Sequence, residues 1–279
     1  MARGAAESLV GDMPGALLEA RRLAALAPGA HGRRRAGAGD GFWQYRAPAP
    51  EDGARLVDWR RSARGERLFV REREREAAQT LSLWIDPGAG FAWRGGDDRP
   101  SKAQRAHVLA LAIARAFARG GERVGVMGRV LRHGPRAADA LAHDLAAPCA
   151  TEPSAPPPRS AVLIVSDFYE GEDVWRRRLA AASSVGAHGA LLMIADPAEE
   201  DFPFEGRTLF RDPGGAGASV TLGRAEHARA EYAARLAAYR ARLRALAGAH
   251  GLAFLAHRTD HAPAPAFSAL LAALSERRR

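Results

Sequence analysis

The chain has a single cysteine, a single lysine and no long hydrophobic run, and each scarcity excludes something. Cys149 has no second thiol to pair with, so neither an intramolecular disulfide nor a cysteine-built zinc site can form. It stands in Ala146-Ala147-Pro148-Cys149-Ala150 with no base beside it, and reads as a small residue near a loop rather than a catalytic thiol. Lys102 is the sole lysine, and no Gly-x-x-x-x-Gly-Lys-Ser/Thr run surrounds it, which excludes a P-loop ATPase. The histidines show no His-Glu-x-x-His spacing, and no Gly-x-Ser-x-Gly elbow occurs. No stretch of about 18 apolar residues is present, so no membrane-spanning helix is expected. The first residues carry Arg3, Glu7 and Asp12 and lack the order of a secretory signal, so a cytoplasmic protein is expected.

Arginine is abundant. Lysine plus arginine number 41 against 32 aspartate plus glutamate, for a formal charge of +9. The wealth of Ala, Gly and Pro beside it points to a GC-rich genome writing its favoured codons, which weakens the charge as a sign of nucleic acid. The basic residues spread from Arg3 to Arg279 and often alternate with acids, whereas a dedicated reader clusters them with exposed aromatics. Nucleic-acid binding stays as the alternative reading. With 279 residues, 47% of them hydrophobic, the chain can bury one large domain and carry an appendage.

Periodicity divides the chain into three parts. Residues 1–41 read as a short helix, Met13 to Ala27 with Leu17, Leu18, Leu23 and Leu26 on its apolar face, followed by a Gly- and Arg-rich linker. Residues 42–78 hold an extended strand over Arg67 to Glu76. Residues 79–279 alternate strands with helices. Thr80 to Asp86 is a half-buried strand, Ser101 caps a helix to Arg119, and Arg123 to Met127 is a strand turning at Gly128 into a hairpin with Val130 to Arg132. Ala161 to Val165 is continuously apolar and ends in Ser166-Asp167. Asp173 is expected to cap the next helix, and Gly189 to Ile194 to form a further buried strand ending at Asp196. An edge hairpin, a long helix, a strand and a last helix complete the pattern. Such alternation implies a mostly parallel sheet with helices on both faces, and ligands collect beyond the carboxyl ends of its strands. Asp86, Asp167 and Asp196 each stand at such an end.

The densest segment is Asp58-Trp59-Arg60-Arg61-Ser62-Ala63-Arg64, followed by Leu68-Phe69-Val70-Arg71-Glu72. Together with Gly39-x-Gly41-Phe42, Arg46, Asp52, Arg55 and Ser166-Asp167-Phe168, it resembles the bacterial family known as domain of unknown function 58. The resemblance implies a von Willebrand factor A-like, doubly wound α/β domain behind an N-terminal extension. It implies a non-enzymatic adaptor whose partners are a MoxR-type AAA+ ATPase and other von Willebrand factor A proteins. The adhesion site of such domains holds Mg²⁺ on Asp-x-Ser-x-Ser. Here the run is Asp86-Pro87-Gly88-Ala89-Gly90, two hydroxyl ligands short, so a degenerate site at Asp86 and Asp167 is expected to bind Mg²⁺ weakly or not at all. No cofactor is expected.

The signature residues are Arg46, Arg55, Asp58, Trp59, Arg60, Arg61, Ser62, Arg64, Arg71 and Glu72. They admit two readings. In one, Trp59 buries its ring and Asp58 forks onto Arg55 or Arg64 as an architectural clamp. In the other, the segment is a partner-binding surface, for which Arg60, Arg61 and Arg64 are more guanidinium groups than a clamp can absorb.

Overall fold

The alternating residues of three apolar runs divide between two opposite layers. In a computed structural model, strands β4 (Thr80–Ile85), β6 (Ala161–Ser166) and β7 (His188–Ala195) are buried along their whole length. The structure describes residues 2–27, 33–36, 42–49, 53, 57–63, 65, 67–77, 79–134, 136–148, 150–213 and 219–275, with backbone alone for 2–12, 33–36, 42–44, 46 and 71–77. The earlier elements are α1 (Ala2–Ala24), β1 (Arg33–Ala36), β2 (Phe42–Arg46), α2 (Trp59–Ser62) and β3 (Val70–Ala77). After β4 come α3 (Ala89–Ala92), α4 (Lys102–Arg119), β5 (Arg123–Val126) and α5 (Ala137–Ala146). Helices α6 (Glu172–Ser184) and α7 (Pro197–Asp201) flank β7, and β8 (Thr208–Phe210) and β9 (Val220–Leu222) form a small hairpin. The chain closes with α8 (Arg229–Ala249), β10 (Leu252–Arg258) and α9 (Pro263–Ser275).

Two compact units result, one of Met1–Ala30 with Thr80–Arg279 and the other of His31–Gln79. In the larger, five strands run in the order β10-β7-β6-β4-β5, every pair parallel. The period of two sorts their side chains. Leu81, Leu83, Ile85, Leu163, Val165, Leu192 and Ile194 pack with α1, α4, α5 and α9, whereas Trp84, Val162, Ile164, Leu191 and Met193 pack with α6 and α8. This is the doubly wound sheet the sequence implies. Its chain leaves β4 for β5 on one side and returns to β6 on the other, which opens a crevice at the carboxyl ends of β4 and β6.

Four local expectations need correction. Helix α1 starts before Met13 and belongs to the larger unit instead of standing off as an extension. Its buried face is Met13, Ala20, Leu23 and Ala24, while Leu18 and Leu26 are exposed, because the stripe that meets α4 is set by Met13 at i, i+7 and i+10. The hairpin after β5 reduces to a single antiparallel bridge, Val124 with Arg132. A Cβ on Gly125 would lie 3.1 Å from the Val130 carbonyl oxygen and 3.3 Å from the Leu131 Cα, so this close return of backbone favours glycine. Finally, Gly171 at φ +99° is the N-cap of α6, and Asp173 sits inside the first turn, where it faces the positive end of the helix.

In the smaller unit, β3 pairs antiparallel with both β1 and β2. The Arg-Glu alternation therefore lies on the central strand of a three-stranded sheet. Cys149, the segment Gly39 to Gly41, Asp52, Arg55 and Arg64 lie outside the described residues.

Candidate functional site

Each carboxylate at the crevice is fixed by short local bonds. Asp86 follows β4, and its Oδ1 accepts the Gly88 N–H at 2.7 Å. Its Oδ2 accepts the Ser166 hydroxyl at 2.5 Å, and that hydroxyl oxygen accepts the Phe168 N–H at 2.9 Å. Burial raises the Asp86 carboxyl above its ordinary range, although the bonds from Ser166 and Gly88 pull it back. Asp167 Oδ1 accepts the Tyr169 N–H at 3.3 Å. Asp196, fully buried, caps α7 through Ala198 N–H at 2.8 Å and takes the Gly95 N–H at 3.0 Å. Glu199 answers by accepting the Asp196 N–H at 2.9 Å, the reciprocal half of a capping box.

One cation joins these strand ends. Ser101 caps α4 with Gln104, which places Lys102 at the first helical position, pointing across the sheet. Its side chain is 1% exposed, and Nζ donates to Asp167 Oδ2 at 2.8 Å and to Glu199 Oε1 at 2.5 Å. The rings of Trp93 and Tyr169 stand 5.9 and 5.6 Å from the ammonium. Burial alone would lower the Lys102 pKa, but Asp167 and Glu199 outweigh it and raise it, so the ammonium stays protonated. The next residues of α7 are charged and paired as well: Glu200 takes Arg240 and Arg258, and Arg258 also reaches Asp201 and Asp260.

These residues do not fit a Mg²⁺ ion. Glycine stands at 88 and 90 where hydroxyls would serve, Asp167 is taken by the Lys102 ammonium, and Asp86 accepts from Gly88 and Ser166. Among the described residues, no group of three or more His, Cys, Asp or Glu is placed to hold a metal.

The second candidate lies within the smaller unit. Asp58 caps the single turn of α2, accepting the Arg61 N–H at 3.0 Å and the Tyr45 hydroxyl at 3.2 Å. Ser62, buried, donates to the Asp58 carbonyl at 2.8 Å and accepts the Phe69 N–H at 2.9 Å, tying the turn to the residue before β3. The Arg61 guanidinium lies 4.2 Å from the Tyr45 ring centroid and 5.2 Å from that of Phe69. Tyr45, Asp58, Arg60, Arg61, Gly65 and Phe69 line a groove of about 480 Å³. Trp59 is 59% exposed, and Arg60 is exposed with no ion-pair partner among the described residues.

A family profile described as "Protein of unknown function DUF58" matches residues 44–133 and 129–242, most of both units. The chain belongs to this family. Among curated proteins none matches. A solved structure titled "Crystal structure of conserved hypothetical protein BatB from Bacteroides thetaiotaomicron" is similar at 15% identity and a TM-score of 0.40, over 71% of this chain and 98% of that one.

In this DUF58 chain the signature divides unevenly. Asp58, Arg61 and Ser62 hold the turn together, so part of the clamp exists, but its anchor is Ser62 and not Trp59. The burial of Trp59 that the clamp reading requires is not seen. With α2 only four residues long and held by the Asp58 cap and the Ser62 bridge, residue 59 is turned outward. Arg46, Arg71 and Glu72 lie on β2 and β3 and are placed by their backbone, in the register pairs Arg46 with Val70, Tyr45 with Arg71 and Gln44 with Glu72. Asp86 and Asp167 do meet in one crevice, and both accept backbone N–H groups at the strand ends. Sequence reasoning missed Lys102 and Glu199. Being the only lysine was the signal available for the first; the second had the capping-box spacing from Asp196.

Proposed function

We propose that this chain is a non-enzymatic adaptor that works in the cytoplasm and docks a protein partner on the α2 turn. A MoxR-type AAA+ ATPase is the candidate that the family resemblance implies. The observation that carries the reading is the exposure of Trp59 beside Arg60 on a turn whose remaining residues are bonded internally. Tryptophan and arginine are enriched at the energetic centres of protein interfaces, and here a solvent-facing ring stands next to a guanidinium with no ion-pair partner among the described residues. Tryptophan supplies apolar area at little entropic cost, and Arg60 selects a carboxylate on the partner. The crevice of the larger unit supports a non-catalytic role as well, since its carboxylates are committed to Lys102, Ser166 and backbone N–H groups.

Co-purification with the ATPase, with and without ATP, tests this. Trp59→Ala with Arg60→Glu should abolish association while circular dichroism stays unchanged. Undiminished co-purification of the folded double variant would remove α2 from the interface. Sequence-selective DNA binding that survives about 200 mM salt would replace the adaptor with a nucleic-acid reader, because phosphate contacts alone weaken steeply with salt.

A further inference from the structure

Lys102 stands at the meeting point of the strand ends, and three observations make its ammonium more than an ordinary ion-pair member. It is the only lysine among 41 basic residues, in a chain that otherwise uses arginine. The one position given a compact point charge instead of a planar fork is 1% exposed. Its donors go to carboxylates brought from separate places, Asp167 after β6 and Glu199 in α7 after β7, at 2.8 and 2.5 Å. Two aromatic rings, Trp93 and Tyr169, add their faces to the enclosure.

We propose that Lys102 is a built-in cation, its ammonium holding the ends of β6 and β7 together in place of a divalent ion. Two carboxylates from two chain segments converge on the ammonium as they would on a hard cation, and Asp86 stands close enough to Asp167 for their charges to be felt. Because the ammonium is covalently attached at the first position of α4, it cannot dissociate or be chelated. The strand-end loops therefore keep their arrangement whatever the metal content of the surroundings. Removal of the four-carbon stem exposes a latent site, since Asp167 and Glu199 are left facing a space that a hydrated divalent ion can enter.

Melting the full chain and its variants in EDTA, Mg²⁺ and Mn²⁺ tests the proposal, with bound Mn²⁺ counted by electron paramagnetic resonance. The wild-type Tm should be the same in all three and no Mn²⁺ should bind. Lys102→Ala should melt about 10 °C lower in EDTA, the effect of stranding a buried charge pair in a unit of this size, and should recover much of that loss on binding about one Mn²⁺. Lys102→Arg should melt low and bind no ion. Mn²⁺ binding by the wild type, or a folded Lys102→Ala that binds none, would overturn the proposal. Should Lys102→Ala fail to fold in EDTA, Lys102→Ala with Glu199→Gln should restore folding, because one uncompensated carboxylate has been removed. A double variant no more stable than the single would overturn it equally.

Discussion

The crevice of the larger unit and the α2 turn of the smaller one are both dense in charge, but they dispose of it in opposite ways. At the crevice, Asp86, Asp167, Asp196 and Glu199 are each held by partners within the same unit, and the central cation is 1% exposed. At α2, the bonds close around Asp58 and Ser62 and leave Trp59 and Arg60 outward. The difference teaches where to look for structure and where for recognition. Charge consumed internally maintains shape, while charge and aromatic surface left over on a rigid support is available to something else.

Breaking the crevice should have the largest effect. Asp167→Ala strands Lys102 beside Glu199 alone and should destabilise the larger unit by about 3–5 kcal/mol, measured by urea unfolding. A loss below about 1 kcal/mol would mean that the cluster is as expendable as a surface ion pair.

Glu122 is an exception inside the larger unit, and it sharpens the comparison. Its side chain is fully buried and neither oxygen has a hydrogen-bond partner, so burial pushes its pKa from 4.5 to about 7. The folded state therefore holds a proton that the unfolded state has released between about pH 4.5 and 7. Stability falls as pH rises through that window and is level above it. Glu122→Gln should gain about 3 kcal/mol at pH 8 and almost nothing at pH 4, which thermal melts across pH would show. Equal effects at both pH values would mean that Glu122 ionises freely in the folded chain.

Smaller effects are expected at α2. Arg61→Ala removes a guanidinium stacked on Tyr45 and Phe69 and should cost about 1 kcal/mol of the smaller unit's stability, read by chemical denaturation. Trp59→Ala should change stability least, by under about 0.5 kcal/mol, although it should impair association most. A loss of about 3 kcal/mol or more, the effect of truncating a buried tryptophan, would return Trp59 to the clamp and erase the contrast between the two regions.

The strand ends were legible because their signals are local. A continuous apolar run closed by a polar residue, as in Ala161 to Asp167, identifies a central parallel strand and its carboxyl end together. Ser101 with Gln104 likewise marks the start of α4. Lys102 was opaque for the opposite reason. Its partners lie 65 and 97 residues away, and no periodicity links positions so distant. The clamp reading of Trp59 rested on residue type. A large ring is usually buried, but a one-turn helix is oriented by its cap and not by its own apolar face. The α1 face was misread because its leucines were more conspicuous than the small residues that pack closest to α4.

The solitary buried lysine also determines which reagents can report on this molecule. Since Lys102 carries the only side-chain amine and is 1% exposed, amine-directed acylating agents and cross-linkers find no lysine on the folded surface. Carboxyl-directed and guanidinium-directed reagents reach surface side chains of this molecule where lysine-directed ones do not. The same isolation makes the residue a clock. Acylation at position 102 can proceed only when the crevice opens, so its rate under native conditions reports on the separation of the strand-end loops.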